Sequence, residues 1–181
     1  MIYGEGIRLR AIERADLPHF VVWLNDPDVR EGLLLYLPFS LADEETWFDQ
    51  MLKRDQPEHP LAIERQVGES WELIGVCGFE NIDWRSRSGS VGIFIGPKGY
   101  WDQGHGTRTM RLLLKHGFTT LNLNRISLDV FADNPRAMRT YEKVGFIHEG
   151  CKRQGVYKNN RYVDIIIMSI LRAEWQEGTE N

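Results

Sequence analysis

Cysteine is scarce in this chain: Cys77 and Cys151 are the only two in 181 residues. A chain of that length buries one substantial core without covalent staples, so the pair reads as reduced thiols of a cytoplasmic protein. Long apolar runs are missing too. Residues 165–168, with Ile170 and Leu171 beyond Ser169, fall far short of a bilayer span, and residues 1–10 hold no signal-like stretch. No membrane association is expected. Positive charge is not in excess either: the formal net charge of −4 argues against a nucleic-acid partner and suits a cationic one. With no internal repeat, low-complexity segment or linker, the expectation is a single domain over residues 1–175 and a polar tail, 176–181.

Two sharper signals are also lacking. His19, His59, His105, His116 and His148 show no ligand spacing, so no metal is expected. No Gly-Lys-Ser/Thr occurs for a P-loop, and no glycine follows Gly106 where a dinucleotide fingerprint needs one.

What is present alternates between the two regular periods. Ile7, Leu9 and Ala11 read as one face of a strand, and Leu17, Phe20, Val21 and Leu24 as a helix capped by Asp16 and stopped at Asn25-Asp26-Pro27. An irregular apolar stretch, 32–41, precedes a second helix over 44–54. Residues 61–66, 72–82 and 91–95 read as a meander. A helix opening at Gly106 carries Met110, Leu113, Leu114, Phe118 and Leu121 as its apolar stripe. Strand 125–131 follows, then a helix begun by Asn134-Pro135 and ended by Gly145. Strands from Phe146 and over 162–171 complete an α+β order, the last apolar enough to be expected buried on both faces.

Two segments carry chemistry. Residues 90–107 run a strand through a glycine-bearing loop into a helix start, the outline of an anion site, because first-turn N–H groups lack intrahelical acceptors. Taken alone, Gly104-His105-Gly106 reads equally as a surface turn. In the second segment, Asn134 and Tyr141 lie seven apart, two helical turns, and so share one side. Alone, Tyr141 reads as a packed aromatic beside Ala137, Met138 and Val144.

In combination the chain resembles the GNAT acetyltransferases. Tyr100-Trp101, Gly104-x-Gly106-Thr107, Leu123-Asn124-Arg125, Tyr141-Glu142-Lys143, Gly145-Phe146, Glu149-Gly150, Asp164, Ile170-Leu171 and Glu174-Trp175 are similar to the ribosomal-protein N-acetyltransferase (RimJ/RimL) branch. The resemblance implies an α/β fold with a mixed central sheet of about seven strands and flanking helices. It implies acetyl-CoA as co-substrate, an amine acceptor, and direct transfer without an acetyl-enzyme, since neither cysteine lies in the site segments. Ile93, Phe94 and Ile95 would then offer strand backbone to the pantetheine arm, and the amides of Gln103, Gly104, His105, Gly106 and Thr107 would receive the pyrophosphate. Asn134 would contact the pantetheine end, and Tyr141 would protonate the departing thiolate.

Two positions depart from the family pattern. Trp101 stands where Arg or Gln is usual, and Ser90 stands where the branch often carries a glutamate that acts as base through water. A base matters, because presenting a neutral alkyl amine at pH 7 costs about 4 kcal/mol. Glu80, Asp83 and Glu31 are the replacements considered, although each alone reads as a solvated surface acid.

The branch implies a protein N-terminal α-amine as acceptor; a small amine (amino sugar, aminoglycoside or polyamine) is the alternative. A peptide needs an open groove between residues 32–41 and a turn at 154–161. A polyamine needs several acids there, and Glu31 is the only one close to either segment in sequence. A non-catalytic CoA-binding module is opposed by the presence of both Asn134 and Tyr141. A homodimer is compatible with all of these readings.

Overall fold

A computed structural model describes residues 1–175; the expected tail, 176–181, lies outside the described residues. The alternation over residues 7–11 forms strand β2 (Ile7–Ala11), whose Ile7 and Leu9 are fully buried. Among the described residues the sheet has eight strands, where about seven are expected. The additional one, β1 (Ile2–Gly4), pairs Ile2 with Leu9 and Gly4 with Ile7, and its three residues are too few for alternation to register in the sequence.

Helix α1 (Leu17–Leu24) ends as expected at Asn25, but Asp16 does not cap it. Both Asp16 carboxylate oxygens are taken by Arg10, at 2.7 and 2.8 Å, and one also accepts the Glu13 amide at 2.8 Å. A four-residue turn, α2 (Pro27–Arg30), follows, with Asp26 accepting the Asp28 amide. Helix α3 (Leu41–Met51) starts three residues before the expected 44. Ser40 and Asp43 form a reciprocal capping box there, with Asp43 accepting the Ser40 amide at 2.8 Å.

Strands β3 (Leu61–Val67), β4 (Ser70–Asp83) and β5 (Ser88–Ile95) form the meander. Helix α4 (His105–Lys115) carries the expected stripe and continues through a π turn, His116–Thr120. Strand β6 (Arg125–Phe131), helix α5 (Pro135–Lys143) and strands β7 (Ile147–Lys158) and β8 (Arg161–Leu171) close the chain. The expected turn at 154–161 contracts to Asn159 and Asn160, whose φ values of 50° and 59° suit a two-residue hairpin. Burial of β8 on both faces holds only at Met168, Ser169 and Ile170.

The sheet order is β1-β2-β3-β4-β5-β6-β8-β7, antiparallel except between β5 and β6. Strand alternation divides the core between its faces. Ile63 and Cys77 pack with Met110, Leu113 and Leu114 of α4 and Tyr141 of α5. Their neighbours Ala62 and Val76 pack on the other face with Phe20 and Trp23 of α1 and Phe48 and Met51 of α3. Gly96, just past β5, lets α1 approach, because a Cβ there would lie 2.0 Å from the Trp23 ring. No helix among the described residues is long and apolar enough to cross a membrane.

Candidate active site

The parallel pair β5–β6 is short. Ser88, Gly89 and Ser90 face Arg125, Ile126 and Ser127, and beyond them the strands part, although β5 stays paired with β4 to Ile95 and β6 with β8 to Phe131. The gap opens into a cavity of about 1170 Å³, larger than a usual small-molecule pocket. Ile93, Phe94 and Ile95 line one wall and Asn134 and Tyr141 the other. The edge of β5 that turns toward β6 loses its sheet partner here, so an extended ligand can lie against it as a strand would.

Helix α4 begins at the same opening. Its N-cap, Gly104, adopts φ 78°, a left-handed conformation that glycine enters without strain, and contributes no side-chain cap. The first-turn amides at His105, Gly106 and Thr107 are therefore left for an anion, and all three residues line the cavity. An acyl-CoA fits this arrangement: the unpaired strand edge suits its amide-bearing arm and the helix start its pyrophosphate. Gln103 does not line the cavity; its side-chain amide turns back to the Gly99 carbonyl. The His105 ring is buried against Tyr100, accepts from Arg108 through Nδ1, and has no partner at Nε2 among the described residues.

Trp101 compensates for the missing Arg or Gln in an unexpected way. Its indole N–H donates to the Ile95 carbonyl at 2.8 Å, tying the loop to the end of β5. The Arg136 guanidinium lies 3.7 Å above its ring and so returns a cation to the loop from α5.

Asn134 caps α5 through its side-chain oxygen, which accepts the Ala137 amide at 3.1 Å, leaving the NH₂ group toward Gly32. Tyr141 is 8% exposed, and its hydroxyl has no hydrogen-bond partner among the described residues. Burial pushes its pKa up to about 12, so it carries its proton throughout the neutral range.

The three acids considered as bases separate clearly. Glu80 lines the cavity and stands opposite Ser90 in the β4–β5 register. Asp83 is engaged in its own turn by the Arg85 and Ser86 amides and the Ser86 hydroxyl. Glu31 does not line the cavity and is held by Lys158 and Asn159 of the β7–β8 hairpin. That contact also bridges the groove expected between residues 32–41 and the hairpin. Lys158, in addition, pairs with Asp133 at 2.9 Å.

Two features escaped the sequence. Cys77 borders the cavity although it lies outside both site segments; burial raises its pKa strongly, which disfavours the thiolate a nucleophile needs. Acids other than Glu31 also stand at the site: Glu44 and Glu58 line the cavity as well as Glu80. Glu58 accepts the Ile82 amide. Glu44, on α3, is 4% exposed, and its carboxylate makes no hydrogen bond or ion pair with a described residue. Burial, then Asp43, raises its pKa. Among the described residues, no group of three or more His, Cys, Asp or Glu is placed to hold a metal ion.

Residues 7–147 match the model of the acetyltransferase (GNAT) domain. A spermidine N(1)-acetyltransferase of Vibrio cholerae is 30% identical, the match covering 96% of this chain and 98% of that one. Bacillus subtilis YdaF, provisionally named a ribosomal N-acetyltransferase, is 26% identical over 96% and 95%. The crystal structure of a V. cholerae spermidine N-acetyltransferase with CoA and spermine superposes with a TM-score of 0.85 at 28% identity, covering 93% of this chain and 97% of that one. The chain belongs to the GNAT acetyltransferase family and is an acetyl-CoA-dependent N-acetyltransferase.

Proposed function

We propose that the acceptor is a small aliphatic amine carrying a second positive charge, of the polyamine class, and that its amine attacks the acetyl thioester directly. The observation that carries this reading is Glu44. A carboxylate largely withdrawn from water and lacking a partner among the described residues is costly, and one lining a substrate cavity is relieved by a cationic group of the substrate. Phe20, Leu24, Phe39 and Trp47 also line the cavity and suit the methylene spacer between two charges. The similarity to spermidine acetyltransferases points the same way.

In this reading the cofactor supplies an activated acetyl group, and the chain's own residues do the rest. The free edge of β5 and the start of α4 orient it, Tyr141 holds a proton ready for the thiolate, and Glu80 receives the ammonium proton through water. Direct attack is favoured because Cys77, the cysteine bordering the cavity, is held as a thiol.

A peptide α-amine is the second reading, and one observation favours it: Leu34, Tyr36 and Leu37 are exposed on the segment between α2 and α3, an apolar surface a peptide side chain would cover. A thiol-release assay with acetyl-CoA, run across polyamines, monoamines, amino sugars and peptides, separates the two. Polyamines turning over faster than peptides and monoamines supports the proposal; peptides turning over faster contradicts it.

A further inference from the structure

Helix α5 presents a basic stripe to the cavity. Arg136, Arg139, Thr140 and Lys143 follow at spacings of three, four and seven residues, all on one side, and all line the cavity. Thr140 fixes where the stripe lies: its Cγ2 is 3.7 Å from the position a Cβ on Gly106 would take, so the stripe flanks the first turn of α4. Arg136 is committed to the Trp101 ring. Arg139 and Lys143, one turn apart and exposed, form no ion pair with any described residue. The acid of their own helix, Glu142, is joined to His148 at 3.0 Å, and Asp102, which also borders the cavity, pairs with neither.

Two unpaired cations side by side, next to a helix start that receives a pyrophosphate, form a site for a further phosphate on the same ligand. CoA carries such a group, the ribose 3′-phosphate, beyond its pyrophosphate and away from the thioester. We infer that Arg139 and Lys143 bind the 3′-phosphate of CoA and make the enzyme select CoA over 3′-dephospho-CoA. Two positive charges match a phosphate monoester, which carries close to two negative charges at neutral pH. The lysine and arginine contribute charge-assisted hydrogen bonds at the solvent-exposed rim. The inference rests on acetyl-CoA being the donor.

The test is calorimetric titration of the full chain with CoA and with 3′-dephospho-CoA, without acceptor, at low and at moderate salt. The parent should bind CoA about tenfold more tightly than the dephospho form, a preference of the size expected for exposed charge-assisted contacts, and added salt should shrink it. In the double variant Arg139→Gln, Lys143→Gln the ratio of the two affinities should approach one. Arg139→Lys should retain most of the preference, because the charge is kept. Equal affinity of the parent for both ligands, or an undiminished ratio in the double variant, overturns the assignment while leaving the donor reading intact. Binding of neither ligand overturns both.

Discussion

Glu80 and Ser90 stand directly opposite each other across the β4–β5 pair, so their side chains leave the sheet on the same face. The carboxylate thus sits one strand from the position where related acetyltransferases often carry a glutamate. Ser90 itself is committed, its hydroxyl donating to the Glu80 carbonyl at 3.0 Å and accepting from Asn81 at 3.2 Å. The base has moved across the strand pair in this account.

Glu80→Gln should therefore lower the neutral-pH rate by at least about tenfold, within the usual contribution of general-base catalysis. In the parent, kcat/KM should rise with pH and level at one enzyme pKa that stays fixed as acceptors of different basicity are compared. Asp83→Asn and Glu31→Gln, whose carboxylates are held by the Asp83 turn and the β7–β8 hairpin, should leave that plateau in place. A plateau that follows the acceptor's own pKa, in parent and Glu80→Gln alike, would show that no protein base operates.

Tyr141→Phe should reduce kcat by roughly ten- to a thousandfold with little change in acetyl-CoA affinity, since a proton donor acts in the transition state. Because burial holds the hydroxyl near pKa 12, no loss of rate from its ionisation should appear below about pH 10. Stopped-flow turnover beside calorimetric binding checks both parts; equal turnover would leave Tyr141 as a packing residue against Phe146.

Gly106→Val should abolish the rise in Tm that acetyl-CoA produces. A Cβ at this position meets only Thr140, at an ordinary 3.7 Å, so the fold accepts it while the branches obstruct the approach of the pyrophosphate. Thermal melts with and without ligand decide this, and an undiminished shift would place the phosphate elsewhere.

Acid stability should depend on Arg10. Burial opposes ionisation of Asp16 and of Glu64, yet Arg10, joined by Arg8 at Glu64, outweighs it and holds both carboxyls below their ordinary range. Depressed folded-state pKa values give stability that is fully present above the unfolded values near 4 and is lost as pH falls through the folded ones. Arg10→Met should cost about 2 kcal/mol at pH 7, allowing for partial exposure of the pair. By pH 3 the deficit should narrow. Urea unfolding at the two pH values measures it, and a deficit independent of pH would assign Arg10 to packing alone.

Much of this was legible in the sequence where a local pattern sets the outcome. Arg125–Phe131 and the Asn134-Pro135 helix start are local in this sense: alternation fixes one, and a side-chain cap with a proline behind it fixes the other. The same holds for the α4 start, where Gly104 and Gly106 announce a close backbone approach. Asp16 misled because its cap competed with a tertiary partner: Arg10, six residues away, holds both of its oxygens. Glu44 was illegible for a related reason. On a capped, acid-rich helix start it reads as a solvated charge, and only the packing of α3 on the sheet buries it at the cavity wall. The pairing of Arg125 with Glu149 over Ser169 shows the reverse: two motif residues that suggest function serve to join β6 and β7 across β8, and hold Glu149 near pKa 2.

The central claim is that Glu44 receives a second positive charge of the acceptor, and the most direct measurement is kcat/KM for a diamine and for a monoamine of equal chain length, in the parent and in Glu44→Gln. The parent should prefer the diamine, and the variant should lose at least about 30-fold with it, the lower end of the scale for removing one partner of a desolvated charge pair, and little with the monoamine. Equal losses with both amines, or no loss with the diamine, would contradict it.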